Sequence, residues 1–234
     1  MMTPAYVDEY HQRTKHQFNR YAASLGYMDW ANQPHPFRYY EGVEVTRLEL
    51  NRELPSVEYD RIYRLNSQKP SPVNRETLSE FFYYSLALSA WKQAGSSRWA
   101  LRVNPSSGKL NPTEAWVLFS SITGDEVNPK LYHYVSGTHA LERRASFSHE
   151  LWQSLLGHLP KESFLVCLSS VIWREAWKYG ERAFRYCQHD LGHAIAALRI
   201  SADFCLAVWL APQDCLSVSP VKPNPISERN VRRK

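Results

Sequence analysis

Lys178 and Tyr179 stand side by side, and well ahead of them residues 105–108 read Pro-Ser-Ser-Gly. A lysine beside a tyrosine supplies two proton carriers whose affinities burial can raise or lower. The plainer alternative is a solvated lysine next to a core tyrosine. The Pro-Ser-Ser-Gly run lies in the segment RWALRVNPSSGKLNPTE, residues 98–114. Pro105 stiffens it, and Gly108 lets backbone come close to a ligand. Ser106, Ser107 and Asn111 offer hydrogen bonds to the edge of a ring, and Arg98 and Arg102 offer charge to a phosphate or an anionic ring. The same residue types also fill ordinary connecting loops. A third constellation is His189 and His193, four residues apart on a helix, as zinc ligands stand in His-Glu-x-x-His enzymes. Here Asp190 takes the second place, and only Cys187 and Glu181 offer themselves as a third ligand. A zinc hydrolase built on His189 and His193 is therefore one reading of this stretch.

The elements that must position these groups follow from periodicity. Residues 6–25 read as an amphipathic helix stopped by Gly26, and 29–40 as an aromatic loop broken by Pro34 and Pro36. Residues 43–50 alternate as a strand, and 51–75 form a polar, proline-containing connection. Thr77 and Glu80 have the spacing of a capping box, opening a helix that runs to Ala94 with Gly95 as its C-terminal cap. Residues 98–111 read as loop. Strands follow at 116–119 and 131–134 around a turn at Gly124-Asp125, then a short helix near 149–157 and an apolar strand at 164–172. The last helix spans about 175–200. Along it Ala176, Gly180, Ala183, Cys187, Leu191, Ala194 and Leu198 make a face of small residues that a second helix, a second subunit or a flat cofactor could approach closely. Two interior glycines, Gly180 and Gly192, each cost about 1 kcal/mol against alanine, which argues for a packing or binding reason. The alternation of helices and strands predicts an α+β fold in layers.

Composition sets outer bounds. The chain has 234 residues, 44% hydrophobic and 22% charged, enough for a sizeable core. A net charge of +5 invites nucleic acid, but basic and acidic residues are interleaved. Only Arg229, Arg232, Arg233 and Lys234 cluster, so we expect no nucleic-acid partner. The positive balance equally suits a phosphate-bearing cofactor. Cys167, Cys187, Cys205 and Cys215 form no Cys-x-x-Cys pair, which argues against a zinc ribbon and for thiols in a reducing compartment. There is no apolar signal segment and no run of 18 apolar residues, so no membrane partner and a cytoplasmic location are expected.

Taken together, three long segments resemble the nitroreductase-like flavoprotein superfamily, in its SagB-type, azoline-oxidase-like dehydrogenase branch. They are YHQRTKHQFNRY (10–21) with GYMDWANQPHPFRYYEG (26–42); RWALRVNPSSGKLNPTEAW (98–116) with LYHYVSGTHALERR (131–144); and LSSVIWREAWKYGERAFRYCQHDLGHAIAAL (168–198). The resemblance implies a layered fold with a central, mostly antiparallel sheet, flanking helices and a long central helix. It implies noncovalent FMN, a small-molecule substrate exchanging hydride with the flavin, and a homodimer. Residue by residue, Pro105, Ser106, Ser107 and Gly108 match the flavin-facing loop, Lys178-Tyr179 the catalytic pair, and Gly192-His193 the turn of helix beside the flavin. Arg98, Arg102 and Asn111 complete the expected cofactor set. The early Arg-x-Ser-x-Arg phosphate motif is missing, and beyond Ala202 the likeness breaks off. The expected division is thus 1–75 as N-terminal helix and connection, 76–202 as a core truncated at its C-terminal end, and 203–234 as a divergent, disordered basic tail. On that division a non-enzymatic remnant of the fold is the alternative to an oxidoreductase.

Overall fold

The computed structural model describes residues 4–50, 71–119, 128–156 and 163–205. The expected connection at 51–75 (up to residue 70), the turn at Gly124-Asp125 and the tail beyond 205 lie outside them.

Helix α1 (Pro4–Thr14) opens the chain. It ends eleven residues before the predicted last residue, and Gly26 lies in a later bend instead. Strand β1 (Val45–Arg47) is shorter than expected. Helix α2 (Arg75–Leu86) is capped by Asn74, whose side chain accepts from the Thr77 amide while the Thr77 hydroxyl accepts from the Asn74 amide. The capping box therefore sits three residues earlier than the Thr77–Glu80 spacing suggests. The helix also ends at Leu86 rather than Ala94. Residues 88–94 instead form strand β2 (Leu88–Ala94), which turns at Gly95 and pairs with β3 (Ser97–Arg102). The predicted loop from 98 thus begins as strand, as far as Arg102, and Gly95 is a hairpin residue.

The main sheet contains β4 (Thr113–Phe119), β5 (Lys130–Val135), β6 (Ala140–Ser146) and β7 (Leu165–Ser170), with α3 (His149–Leu156) between the last two. Its order is β1-β6-β5-β4-β7, and every neighbouring pair is antiparallel. Side chains alternate across a strand. Ala115, Val117 and Phe119 of β4, Tyr132 and Tyr134 of β5 and Leu141 of β6 therefore share the core face. Against them pack Leu78, Phe81, Phe82 and Leu86 of α2 and Ala194, Leu198, Ala202 and Cys205 of the last helix.

The expected continuous helix is two. Helix α4 (Ile172–Tyr179) stops at Gly180, and after a single turn of 3-10 helix α5 (Ala183–Cys205) begins. Gly180 has φ 52°, ψ −123°, a conformation glycine alone adopts readily, and a Cβ there would lie 2.8 Å from Leu25. The small-residue face of α5 turns inward: Ala183, Cys187, Ala194 and Leu198 are all buried within the chain. It serves the core, not an outside partner.

Candidate active site

The break at Gly180 places Lys178 and Tyr179 at the very end of α4, and the loop before β4 comes down on them. A Cβ built on Gly108 would lie 2.9 Å from the Tyr179 hydroxyl and 3.0 Å from Lys178 Nζ. Both side-chain tips thus touch the backbone of the loop at one point, where a side chain has no room. Gly108 also has φ 62°, and Lys109 and Asn111 share that left-handed region at 61° and 50°. Non-glycine residues held there are strained, and such strain gathers at functional sites.

Buried groups clamp the loop. Ser106 Oγ accepts from the Asn111 amide at 2.8 Å, and Asp190 of α5 accepts from the Ser107 amide at 3.2 Å. Arg174 of α4 donates to the Asn111 carbonyl at 2.7 Å and to Glu114 of β4. Glu114 in turn bonds His133 Nε2 at 2.7 Å, and His133 Nδ1 meets Glu142 at 3.0 Å. Burial alone would keep His133 neutral, but the bonds to the two glutamates outweigh it and raise its pKa. For Glu114, burial is likewise outweighed, by His133 and Arg174, and its pKa falls. One network of paired charges thereby joins three strands, α4 and the loop.

The floor of the site is less well satisfied. Glu175, one turn before Lys178 and Tyr179, is fully buried, and among the described residues neither of its carboxylate oxygens has a hydrogen-bond partner. Burial, then the neighbouring Asp190, push its pKa up to about 8, against the pull of Lys178. Asp190 Oδ2 also lacks a partner, and burial raises the pKa of that group too. The Tyr179 phenol is pushed up to about 12, first by burial and then by Glu175. Its ring is held 4.2 Å from Tyr186, with the Arg182 guanidinium 5.5 Å from its centre. Arg182 is anchored in turn on His16, 2.9 Å away.

The sequence-predicted residues divide accordingly. Ser106, Ser107, Gly108, Asn111, Lys178 and Tyr179 converge, with Pro105 exposed on the loop. Gly192 and His193 are exposed on α5, and His193 and His189 are near enough to Asp190 to favour its charge. Arg98 does not join them: it lies on the β2–β3 hairpin with its guanidinium 4.4 Å from the Trp91 ring centre. Arg102 donates to the Pro36 carbonyl at 2.6 Å and the Thr113 carbonyl at 3.1 Å, and burial lowers its pKa to about 10. Among the described residues no three His, Cys, Asp or Glu side chains are grouped to hold a metal ion, so nothing carries the zinc reading further. Sequence reasoning missed Glu175, the role of Asp190, and the Glu114–His133–Glu142–Arg174 network. Spacing could have flagged Glu175, which precedes Lys178 by three residues.

Tested against FMN, the residues fit at one end. Lys178 Nζ and the Tyr179 hydroxyl, set against a left-handed backbone turn, are donors suited to an electron-rich ring edge. Neither candidate arginine is presented for the phosphate.

No family model matches this chain, and no curated protein matches it in sequence. Among solved structures, a protein of Anabaena variabilis assigned as a nitroreductase superposes with a TM-score of 0.61 at 26% identity, over 83% of this chain and 38% of that one. This chain therefore spans about two fifths of the length of that relative. The microcin synthetase McbBCD complex of E. coli, bound to truncated pro-MccB17, gives a TM-score of 0.45 at 17% identity, over 85% of this chain and 77% of the matched one. A likeness at that level carries no argument. The chain is nitroreductase-like: an α+β fold with an antiparallel main sheet, flanking helices and a long last helix. No helix among the described residues is long and apolar enough to cross a membrane.

Proposed function

We propose that this chain is an FMN-dependent oxidoreductase of the SagB-type dehydrogenase branch, acting on a small organic substrate as a cytoplasmic homodimer. The observation that carries the reading is the meeting of Lys178 and Tyr179 with the Gly108 turn in a nitroreductase-like fold. Bound FMN would supply the hydride-accepting chemistry. This chain's own contribution is to position and to move protons. Ser106, Ser107 and Gly108 would line the ring edge, while Lys178 Nζ and the Tyr179 hydroxyl offer the acidic and basic groups that proton transfer needs. With its pKa pushed up to about 12, Tyr179 stays protonated at neutral pH and is fitted to donate rather than accept.

A second reading, a non-enzymatic relative that has kept the fold, is favoured by the engagement of Arg98 and Arg102 elsewhere. The visible spectrum of the purified chain separates the two. We expect a flavin band near about 450 nm, or its recovery on adding FMN. A colourless protein that leaves the fluorescence of added FMN unchanged would overturn the oxidoreductase reading.

A further inference from the structure

Glu175 is the one group in the site that the proposed function leaves without employment. It is fully buried on α4, and both carboxylate oxygens lack a hydrogen-bond partner among the described residues. An unpaired buried carboxyl is costly to keep, and a glutamine or leucine would fill the same space without a titratable group. Lys178, three residues on, is its neighbour on the helix face, yet Lys178 Nζ rests against Gly108 rather than on the carboxyl. The other groups that face Glu175 are Tyr179 on its own helix and Asp190 and Cys187 across on α5. Asp190 is held by the Ser107 amide, which ties the carboxyl pair to the loop.

We propose that Glu175 is a positioning residue for Lys178 that also holds the proton Lys178 passes on. The role rests on the reading of Lys178 as a proton carrier. When Lys178 has given its proton away and stands as an amine, the Glu175 carboxylic acid returns one, and an amine and a carboxylic acid become an ion pair. One proton moves from a carboxyl oxygen to Nζ, and the net charge of the pair is unchanged in that step. Burial, and then the second carboxyl, Asp190, keep that proton on Glu175 until the lysine lacks one, because two adjacent carboxylates repel. The swing of the flexible lysine stem between Gly108 and the carboxyl is the motion required. In this arrangement Lys178 regains its proton from within the site, because Glu175 holds one in reserve.

Carbon-13 NMR of the full chain labelled at glutamate carboxyls tests this without cofactor or substrate. We expect one carboxyl to titrate near pH 8, to vanish in Glu175→Gln, and to titrate higher in Lys178→Met, where the lysine's pull is gone. A Glu175 resonance that titrates in the ordinary range for glutamate, or one that Lys178→Met leaves in place, overturns the proposal. Should Glu175→Gln fail to fold, the Lys178→Met comparison decides alone. A second measurement tells the role from a structural one. With flavin content matched to wild type, Glu175→Gln should shift the pH profile of turnover; an unmoved profile with only a changed melting temperature makes Glu175 structural. If the chain takes up no FMN while the coupled titration is seen, the flavin reading fails and the Glu175–Lys178 pair stands.

Discussion

Gly108 shows how few atoms separate a loop from a site. Its backbone is both left-handed and in contact with Lys178 and Tyr179, so alanine there meets two penalties at once. Left-handed backbone costs a non-glycine residue about 1–2 kcal/mol, and the added methyl must push the two side-chain tips aside. We expect Gly108→Ala to lower stability by about that amount in urea denaturation and to reduce FMN affinity; unchanged affinity would mean the turn does not face the ligand. At the pair itself, Lys178→Ala and Tyr179→Phe should leave flavin content intact and lower turnover by about 10²-fold or more. Loss of flavin with no separate defect in turnover would make both residues structural. Lys178-Tyr179 and Pro-Ser-Ser-Gly could be read from the sequence because their residue types and order carry the signal. Glu175 was legible only in its spacing, three residues before Lys178, because a helical glutamate near lysines and arginines otherwise reads as a solvated charge. Only the packing of α5 over it shows otherwise.

At the scale of elements, two of the misread boundaries share one cause. A single glycine with positive φ ends a helix, turns a hairpin or breaks one helix into two, and local pattern does not say which. Gly95 was expected to cap a helix and turns a hairpin; Gly180 was expected inside a helix and divides it. The strands were more legible, since short apolar and aromatic runs mark β4, β5 and β7, but the charges crossing them were not. Glu114 stands within hydrogen-bonding reach of His133 on β5 and Arg174 on α4, all of them buried. Removing it leaves the buried Arg174 without its carboxylate and His133 with Glu142 alone, so Glu114→Gln should cost about 3–5 kcal/mol by urea denaturation. A loss below about 1 kcal/mol would mean that water replaces the carboxylate. The pH dependence has a definite sign. With its folded pKa raised, His133 contributes stability that is full below its ordinary pKa of 6.5 and is lost as pH rises through the folded value. Glu175, with its folded pKa also raised, loses stability from its ordinary 4.5 up to about 8 and nothing further above that. The melting temperature should therefore decline across the neutral range. His133→Gln should make the decline above pH 6.5 shallower, and an unchanged slope there would exclude His133 as a source of it.

For the molecule as a whole, the question is which face of α5 meets another subunit. The small-residue stripe, which the sequence offers as an interface, is the inner wall of the chain's own core. Ala194, Leu198, Ala202 and Cys205 share the core with α2, and Ser201 donates to the Phe81 carbonyl at 2.7 Å. Sequence pattern could identify a face built for close approach but not which helix approaches it, because that choice belongs to tertiary packing. The opposite face carries Phe184, Gln188, Gly192, Ile195 and Arg199, all exposed and spaced at three, four or multiples of those intervals. Ile195 is 40% exposed and Phe184 52%. A glycine-containing face with exposed Phe184 and Ile195 can take a second helix closely. If the proposed homodimer forms through α5, Ile195→Asp should dissociate it in sedimentation velocity. It should change the stability of the subunit by no more than about 0.5 kcal/mol, since the site is at the surface. Ala183→Leu should do the reverse, overpacking the interior at a cost of about 1–3 kcal/mol while leaving the association state unchanged. Should Ile195→Asp sediment with the wild-type dimer, the outer face of α5 is not the interface, and the subunits meet elsewhere or not at all.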